Sequence, residues 1–274
     1  MISDDLFTPT LWLPRPDGDI AYSRTGSGDP VLLSPGMGDL RRTFRHLIPG
    51  LVDAGYETIT ADLRGHGDSD ASFAEYRDEA TAEDLIALLE EIGAPAVVVG
   101  SSMSAAAAVI VAARRPELVR GLVLLGPFLR DPSTSPLMST AMRILMHPRW
   151  IGAVWHRYLP TLYAGRRPED FEEHRTAVRE SLRRPDHAVA FSRTTRTSHR
   201  EAEALVPRVT APSTVIMGAL DPDFPDPEAE AQWAADALGG SCVMVPDAGH
   251  YPHAQQPEDT LVAVVGFLGG LADA

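Results

Sequence analysis

The order of apolar runs along this chain predicts an α/β protein. It should have a mostly parallel central sheet flanked by helices, with a helical cap inserted late in the sequence. Three observations carry this. Short aliphatic runs alternate with segments of helical periodicity. One run, Ala96 to Val99, is apolar throughout, as suits a strand buried on both faces. One long stretch, 127–206, breaks the alternation with helical patterns and no strand.

The expected strands are Val31–Leu33, Thr58–Ala61, Ala96–Val99, Leu122–Leu125, Thr214–Met217 and Cys242–Val245. Thr81–Ile92 places Ala82, Leu85, Leu88 and Leu89 on one helical face. Ala105–Arg114 is Ala-rich and nearly all apolar, as a helix packed closely on a sheet would be. Glu228–Leu238 is amphipathic, and Thr260–Leu268 closes the chain. Alternating strands and helices favour a parallel sheet covered on both faces. Residues 1–126 and 207–274 therefore form the core, and 127–206, with helical patterns at Leu137–Met146 and Pro168–Arg183, form the cap.

Bulk properties narrow the function. The chain has 274 residues, 44% hydrophobic and 23% charged, which suits one large α/β domain with an insertion. The net charge of -14 argues against nucleic acid or an anionic membrane as partner, because both need a basic face. Charge is uneven: 127–206 holds 13 Arg against 9 Asp and Glu, and the remainder 11 Arg against 29. A basic cap over an acidic core could attract an anionic substrate; cap–core ion pairing is the plainer explanation. Every cation is Arg, so Schiff-base chemistry on Lys is excluded. A lone cysteine, Cys242, implies no disulfide, and the acidic start carries no signal-peptide pattern. The longest apolar run, Ala105–Ala113, is too short to span a bilayer. The expectation is a cytoplasmic enzyme acting on a small molecule; pattern alone says nothing of its oligomeric state.

Gly100-Ser101-Ser102-Met103-Ser104 follows the Val strand and opens the Ala helix. This is the strand–turn–helix setting of a Gly-x-Ser-x-Gly elbow, where small flanking residues let strand and helix approach. Spacing from Gly100 selects Ser102 as nucleophile, although Ser before a helix is also an ordinary N-cap. A Ser hydroxyl needs a base. His250, in Gly249-His250-Tyr251-Pro252-His253 after the last strand, is the candidate; His253 is expected to pack against or cap the C-terminal helix. Asp221, first after the Thr214–Met217 strand and a short turn, is the candidate acid that orients the imidazole, with Asp223 and Asp226 read as turn or surface residues. Acyl transfer also needs backbone donors at the developing oxyanion. Met103 should supply one. The Ser34-Pro35-Gly36-Met37-Gly38 loop should supply the other, from Gly36 or, preferably, Met37, since Pro35 has no N–H.

At this point the chain resembles the α/β-hydrolase superfamily, outside the cap, in four motifs that occur in order. The Pro35-Gly36-Met37-Gly38 loop is similar to the family's His-Gly-x oxyanion loop. Asp62-Leu63-Arg64-Gly65-His66-Gly67-Asp68-Ser69 resembles its Asp-x-Arg-Gly-His-Gly-x-Ser turn. The elbow and the Asp…His pair complete the set. The resemblance implies an α/β-hydrolase fold and a serine hydrolase needing no metal or organic cofactor. Epoxide hydrolases and haloalkane dehalogenases of this fold carry Asp at the elbow, and its hydroxynitrile lyases rely on a Lys. Carbon–carbon bond hydrolases usually place Trp where Tyr251 stands. The elbow and the Gly249–His253 run are also similar to bacterial stress-signalling hydrolases and the plant strigolactone and karrikin receptors, which turn over slowly. The leading expectation is an esterase for a small or medium carboxylic ester, with Trp150, Trp155, Tyr158, Leu159 and Tyr163 of the cap as candidate pocket wall.

Overall fold

A computed structural model describes residues 4–132 and 136–272. Eight strands form one sheet: β1 Leu11–Arg15, β2 Gly18–Gly26, β3 Asp29–Ser34, β4 Tyr56–Ala61, β5 Ala96–Ser101, β6 Val119–Leu125, β7 Ser213–Gly218 and β8 Ser241–Val245. Their order is β1-β2-β4-β3-β5-β6-β7-β8. β1 and β2 pair antiparallel, as do β2 and β4; every other pairing is parallel. The helices are α1 Ile48–Asp53, α2 Asp78–Ile92, α3 Met103–Arg114, α4 Pro136–Leu145, α5 Ile151–Leu162, α6 Phe171–Arg183, α7 Pro185–Thr194, α8 Arg200–Leu205, α9 Pro227–Leu238, α10 Pro252–Gln255 and α11 Pro257–Ala272. The architecture is the α/β-hydrolase fold.

The six strands expected from sequence are present, each a little longer than its apolar centre. The antiparallel pair β1–β2 is additional to them. Its signal is a Pro16-Asp17 turn ending at Gly18, between Leu11-Trp12-Leu13 and Ile20-Ala21-Tyr22, a combination that favours a tight reversal. The helix expected from Pro168 starts at Phe171, and α5, α7 and α8 are further helices between β6 and β7.

Alternating side chains divide the strands between two cores. Leu32, Ile59, Val98, Leu122, Leu124, Val215 and Met217 face α2, α3 and α9. Val31, Leu33, Val97, Val99, Val123, Leu125 and Ile216 face α1 and α11. A third cluster, formed by Ile151, Trp155, Leu159, Leu162, Tyr163, Phe171 and Phe191 with Leu40 and Tyr251, joins the helices after β6 to the loops at the carboxyl edge of the sheet. Among the described residues no helix is long and apolar enough to cross a membrane.

Candidate active site

Ser102 sits between β5 and α3 with φ 55° and ψ -121°, one of two non-glycine residues described at positive φ. Such a conformation is unfavourable for an L-residue and persists only where its surroundings enforce it. Here Ser102 N–H donates to Leu125 O at 2.8 Å and Ala105 N–H donates to Ser102 O at 3.0 Å. Gly100 is required for the same reason: a Cβ there would lie 2.5 Å from Ser104 O and 2.8 Å from Ala105 Cα. Ser104 replaces the elbow's second glycine with a purpose the sequence did not reveal. Its hydroxyl donates to Pro35 O at 2.6 Å and accepts from Ser34 Oγ at 2.9 Å, tying the start of α3 to the loop after β3.

His250 and Asp221 meet at the carboxyl ends of β7 and β8, both buried, with Nδ1 and Oδ2 2.7 Å apart. Oδ1 of Asp221 accepts from Asp223 N–H at 3.0 Å. Nδ1 of His250 thus carries the proton toward Asp221 and Nε2 is left as the basic nitrogen. Asp223 corrects the sequence reading: instead of a simple turn residue it is a second carboxylate, its Oδ2 3.7 Å from His250 Nδ1. Asp226 is an N-cap, accepting from Ala229 N–H at 3.0 Å. Burial opposes charging of His250, but the Asp221 carboxylate, its hydrogen bond and Asp223 outweigh it and raise the pKa to about 9. Asp221, Asp223 and His250 offer ligand atoms within 4.8 Å of one another. A cation there would compete for the Nδ1 and Oδ2 atoms that already bond each other. No hydrogen bond joins Ser102 Oγ to His250 among the described residues, and such bonds often tighten only with substrate.

The loop after β3 lies against the elbow: a Cβ on Gly36 would be 2.8 Å from Ser102 Cβ. Gly38 N–H donates to His66 Nε2 at 3.0 Å, and His66 Nδ1 lies 2.8 Å from Arg64 O, which fixes the ring's tautomer. Burial lowers the His66 pKa to about 4, so the ring stays neutral and can accept. Elsewhere in the same turn, Asp62 accepts from Arg41 N–H at 2.7 Å and Asp68 N–H at 3.0 Å, while Ser69 Oγ accepts from Ala21 N–H of β2 at 2.9 Å. Gly67 is necessary because a Cβ would fall 2.2 Å from the Asp62 carboxylate. The Asp62–Ser69 motif is therefore the mount of the loop after β3.

The helices between β6 and β7 hold the same loops from the other side. Trp155 Nε1 donates to Gly38 O at 2.7 Å, and the indole fills the space a Cβ on Gly38 would need. His174 Nε2 lies 2.7 Å from Asp39 Oδ1 in a fully buried pair. His250 N–H donates to Leu162 O at 2.8 Å, and Tyr158 Oη donates to Asp223 Oδ1 at 2.6 Å. Of the five aromatic and apolar residues nominated as pocket wall, Trp155 and Tyr158 reach the site. Leu159 and Tyr163 are buried in the third core, Tyr163 stacked 4.7 Å from Tyr251. Trp150 is exposed and donates from Nε1 to Ile144 O, within the inserted helices. His253 is buried with Nε2 3.0 Å from Thr43 Oγ1 and its ring against Phe44; it packs on the 41–46 turn and does not cap α11. Gln255 went unnoticed in the sequence: its Oε1 accepts from Gly249 N–H and its Nε2 donates to Ala164 and Arg166 carbonyls, pinning the His250 loop.

A serine on a strained strand–helix turn after β5 and a buried Asp–His pair after β7 and β8 describe a hydrolase site on an α/β sheet. The chain belongs to the alpha/beta hydrolase family, whose model matches residues 31–264. It is 29% identical over 269 residues to a Mycobacterium tuberculosis protein named as a non-heme bromoperoxidase, BpoC, covering 92% of this chain and 98% of that one. It is 28% identical over 260 residues to a protein of Oryza sativa subsp. japonica named as an esterase, covering 85% of this chain and 89% of that one. Among solved structures, a thermophilic esterase from Thermogutta terrifontis superposes with a TM-score of 0.80 at 26% identity, over 96% of this chain and 99% of that one.

Proposed function

We propose that this hydrolase cleaves a small or medium carboxylic ester through an acyl-enzyme on Ser102. The observation that carries the reading is the buried 2.7 Å His250–Asp221 pair, on the strand ends that follow the Ser102 elbow. In this mechanism His250 Nε2 takes the Ser102 proton as Oγ attacks the acyl carbon. The same proton passes to the leaving alcohol, and His250 then activates the water that releases the acid. Asp221 orients the ring and balances its transient charge. The N–H groups of Met103 and Met37 receive the oxyanion. Support for this loop comes from its own groups: the Pro35, Gly36 and Gly38 carbonyls and the Gly38 and Asp39 amides are all engaged, whereas the N–H groups of Gly36 and Met37, the two donors the sequence offers, have no acceptor among the described residues. Similarity to epoxide hydrolases covers at most 46% of this chain, and a serine at the elbow suits acyl transfer.

A slow-turnover version of the same chemistry is favoured by one feature. Asp223 beside His250 adds to the negative field that keeps the imidazole protonated at neutral pH, so the base is scarce until that field weakens. Hydrolysis of p-nitrophenyl esters from acetyl to decanoyl, by wild type and Ser102→Ala, tests both. Sustained turnover lost in the variant supports the esterase, and its chain-length optimum sizes the acyl pocket. A single burst without turnover selects the slow version. Equal activity in both proteins overturns the mechanism.

A further inference from the structure

The inserted helices carry a face that the chemistry at Ser102 does not use. α4 leaves Leu137, Met142, Ile144 and Leu145 exposed, with Leu137 at 81% and Ile144 at 63%, and Trp150 is exposed a few residues later. Five of the eleven exposed large hydrophobic residues thus lie within one short stretch, whereas exposed apolar side chains elsewhere are scattered. Trp150 joins α4 to the next element: its Nε1 donates to Ile144 O at 3.0 Å, and it lines an open cleft of about 500 Å³. The cleft is bounded by Arg149, His156, Arg179 and Arg183 and contains no carboxylate.

The charges around this face run against the rest of the protein. From 132 to 168 the chain has five Arg and not one Asp or Glu, although its net charge is -14. From Arg15 to Arg130 every arginine is matched to an acid, as in Arg24–Glu57, Arg45–Asp170 and Arg64–Asp84. Arg143, Arg149, Arg179 and Arg183 have no carboxylate partner among the described residues, and His156 Nδ1 is buried without one. Unpaired guanidiniums beside exposed aliphatic side chains and an indole are what an anionic lipid surface recognises: apolar groups enter the acyl boundary, the indole sits at headgroup depth, and arginines meet phosphates.

We propose that α4, Trp150 and the adjoining arginine cleft form a docking face for an anionic lipid surface. The whole-chain charge pointed away from such a partner, but the acids that produce it lie mainly on the other elements. The same helix that starts beside Trp150 carries Trp155 and Tyr158 to the Ser102 site, so a docked surface would lie against the helices that hold the active-site loops. The proposal is independent of the ester chemistry.

The test is co-sedimentation of the full chain with vesicles of ether-linked lipids, which no esterase can consume. One set is equimolar phosphatidylglycerol and phosphatidylcholine, the other phosphatidylcholine alone. Binding should be at least about tenfold tighter to the anionic set and should weaken at high salt, each arginine near the surface contributing roughly fivefold. Ile144→Asp should abolish binding, and Arg149→Gln with Arg179→Gln should weaken it about 25-fold. Both variants should keep wild-type unfolding and wild-type hydrolysis of a soluble ester, because these side chains are exposed and remote from Ser102. Equal binding to both vesicle sets, no binding, or full binding by Ile144→Asp overturns the proposal. So does a concentration-dependent dimer that Ile144→Asp dissociates while vesicles are ignored, since a second copy would then cover the face.

Discussion

The sheet with its own helices and the five helices inserted after β6 are built on different terms. In the sheet, β5 is buried along its whole length and α3 buries eleven of twelve residues, so position follows from hydrophobic pattern. The inserted helices are basic, expose much of their apolar surface and bury a smaller core. Yet they supply a second set of contacts to the loops after β3, β7 and β8: Trp155 to Gly38, His174 to Asp39, Leu162 to His250 and Tyr158 to Asp223. The candidate reacting groups therefore come from the sheet, while their placement is shared between the two regions. A rigid framework brings the residues together, and a less regular region sets the last fraction of an ångström on which catalysis depends.

That division can be broken experimentally, starting at the framework. His250→Ala should lower kcat on p-nitrophenyl acetate by at least about 10⁴-fold, and Asp221→Asn by about 10⁴-fold, with binding little affected. A much smaller loss would mean the sheet-borne pair is not the base system. On the inserted side, Trp155→Phe keeps an aromatic ring, though a smaller one, and removes the donor to Gly38 O. We expect kcat to fall about tenfold with KM nearly unchanged, and unfolding stability to drop by about 1 kcal/mol. Equal loss in kcat/KM through KM alone would assign Trp155 to substrate binding instead.

Gly38→Ala probes the seam directly. At φ +72° the new methyl would lie 2.5 Å from the Trp155 ring and 2.6 Å from Phe191. Chemical denaturation should show a loss of about 2 kcal/mol, and an unchanged midpoint would mean the inserted helices yield freely. The smallest effects concern protons. Hydrolysis needs neutral His250, so kcat/KM should rise with pH through about 9. Removing one negative charge in Asp223→Asn destabilises the imidazolium, and the midpoint should move to lower pH; an unmoved midpoint would leave the shift to Asp221 and, more weakly, Asp39. His66 works in the opposite sense. Its folded pKa of about 4 lies below the unfolded 6.5, so the unfolded chain takes up a proton first as pH falls. Its contribution to stability is complete above 6.5 and is lost between 6.5 and 4. Unfolding free energy measured across that window should decline, and less steeply in His66→Gln.

Local pattern was sufficient to read the strand–helix alternation, the elbow at Gly100–Ser104 and the nomination of Asp221 and His250, because each depends on residues close in sequence. Ala96–Val99 announces a buried strand by its own composition, and an Ala-rich run before Arg114 permits a helix to lie close to it. The pairing of Ser104 with Pro35, of His66 with Gly38 and of Trp155 with Gly38 could not be read this way, since the partners are 69, 28 and 117 residues apart. Nor could Asp223 be distinguished from Asp226. Both look like turn aspartates, and only the loop's path turns one toward His250 and leaves the other capping α9. Charge behaves likewise on a larger scale: a sum over the chain is additive and blind to place, whereas an electric field acts at a surface. Short-range periodicity chose the fold and nominated the reacting residues; long-range packing chose what holds them and which face the arginines share.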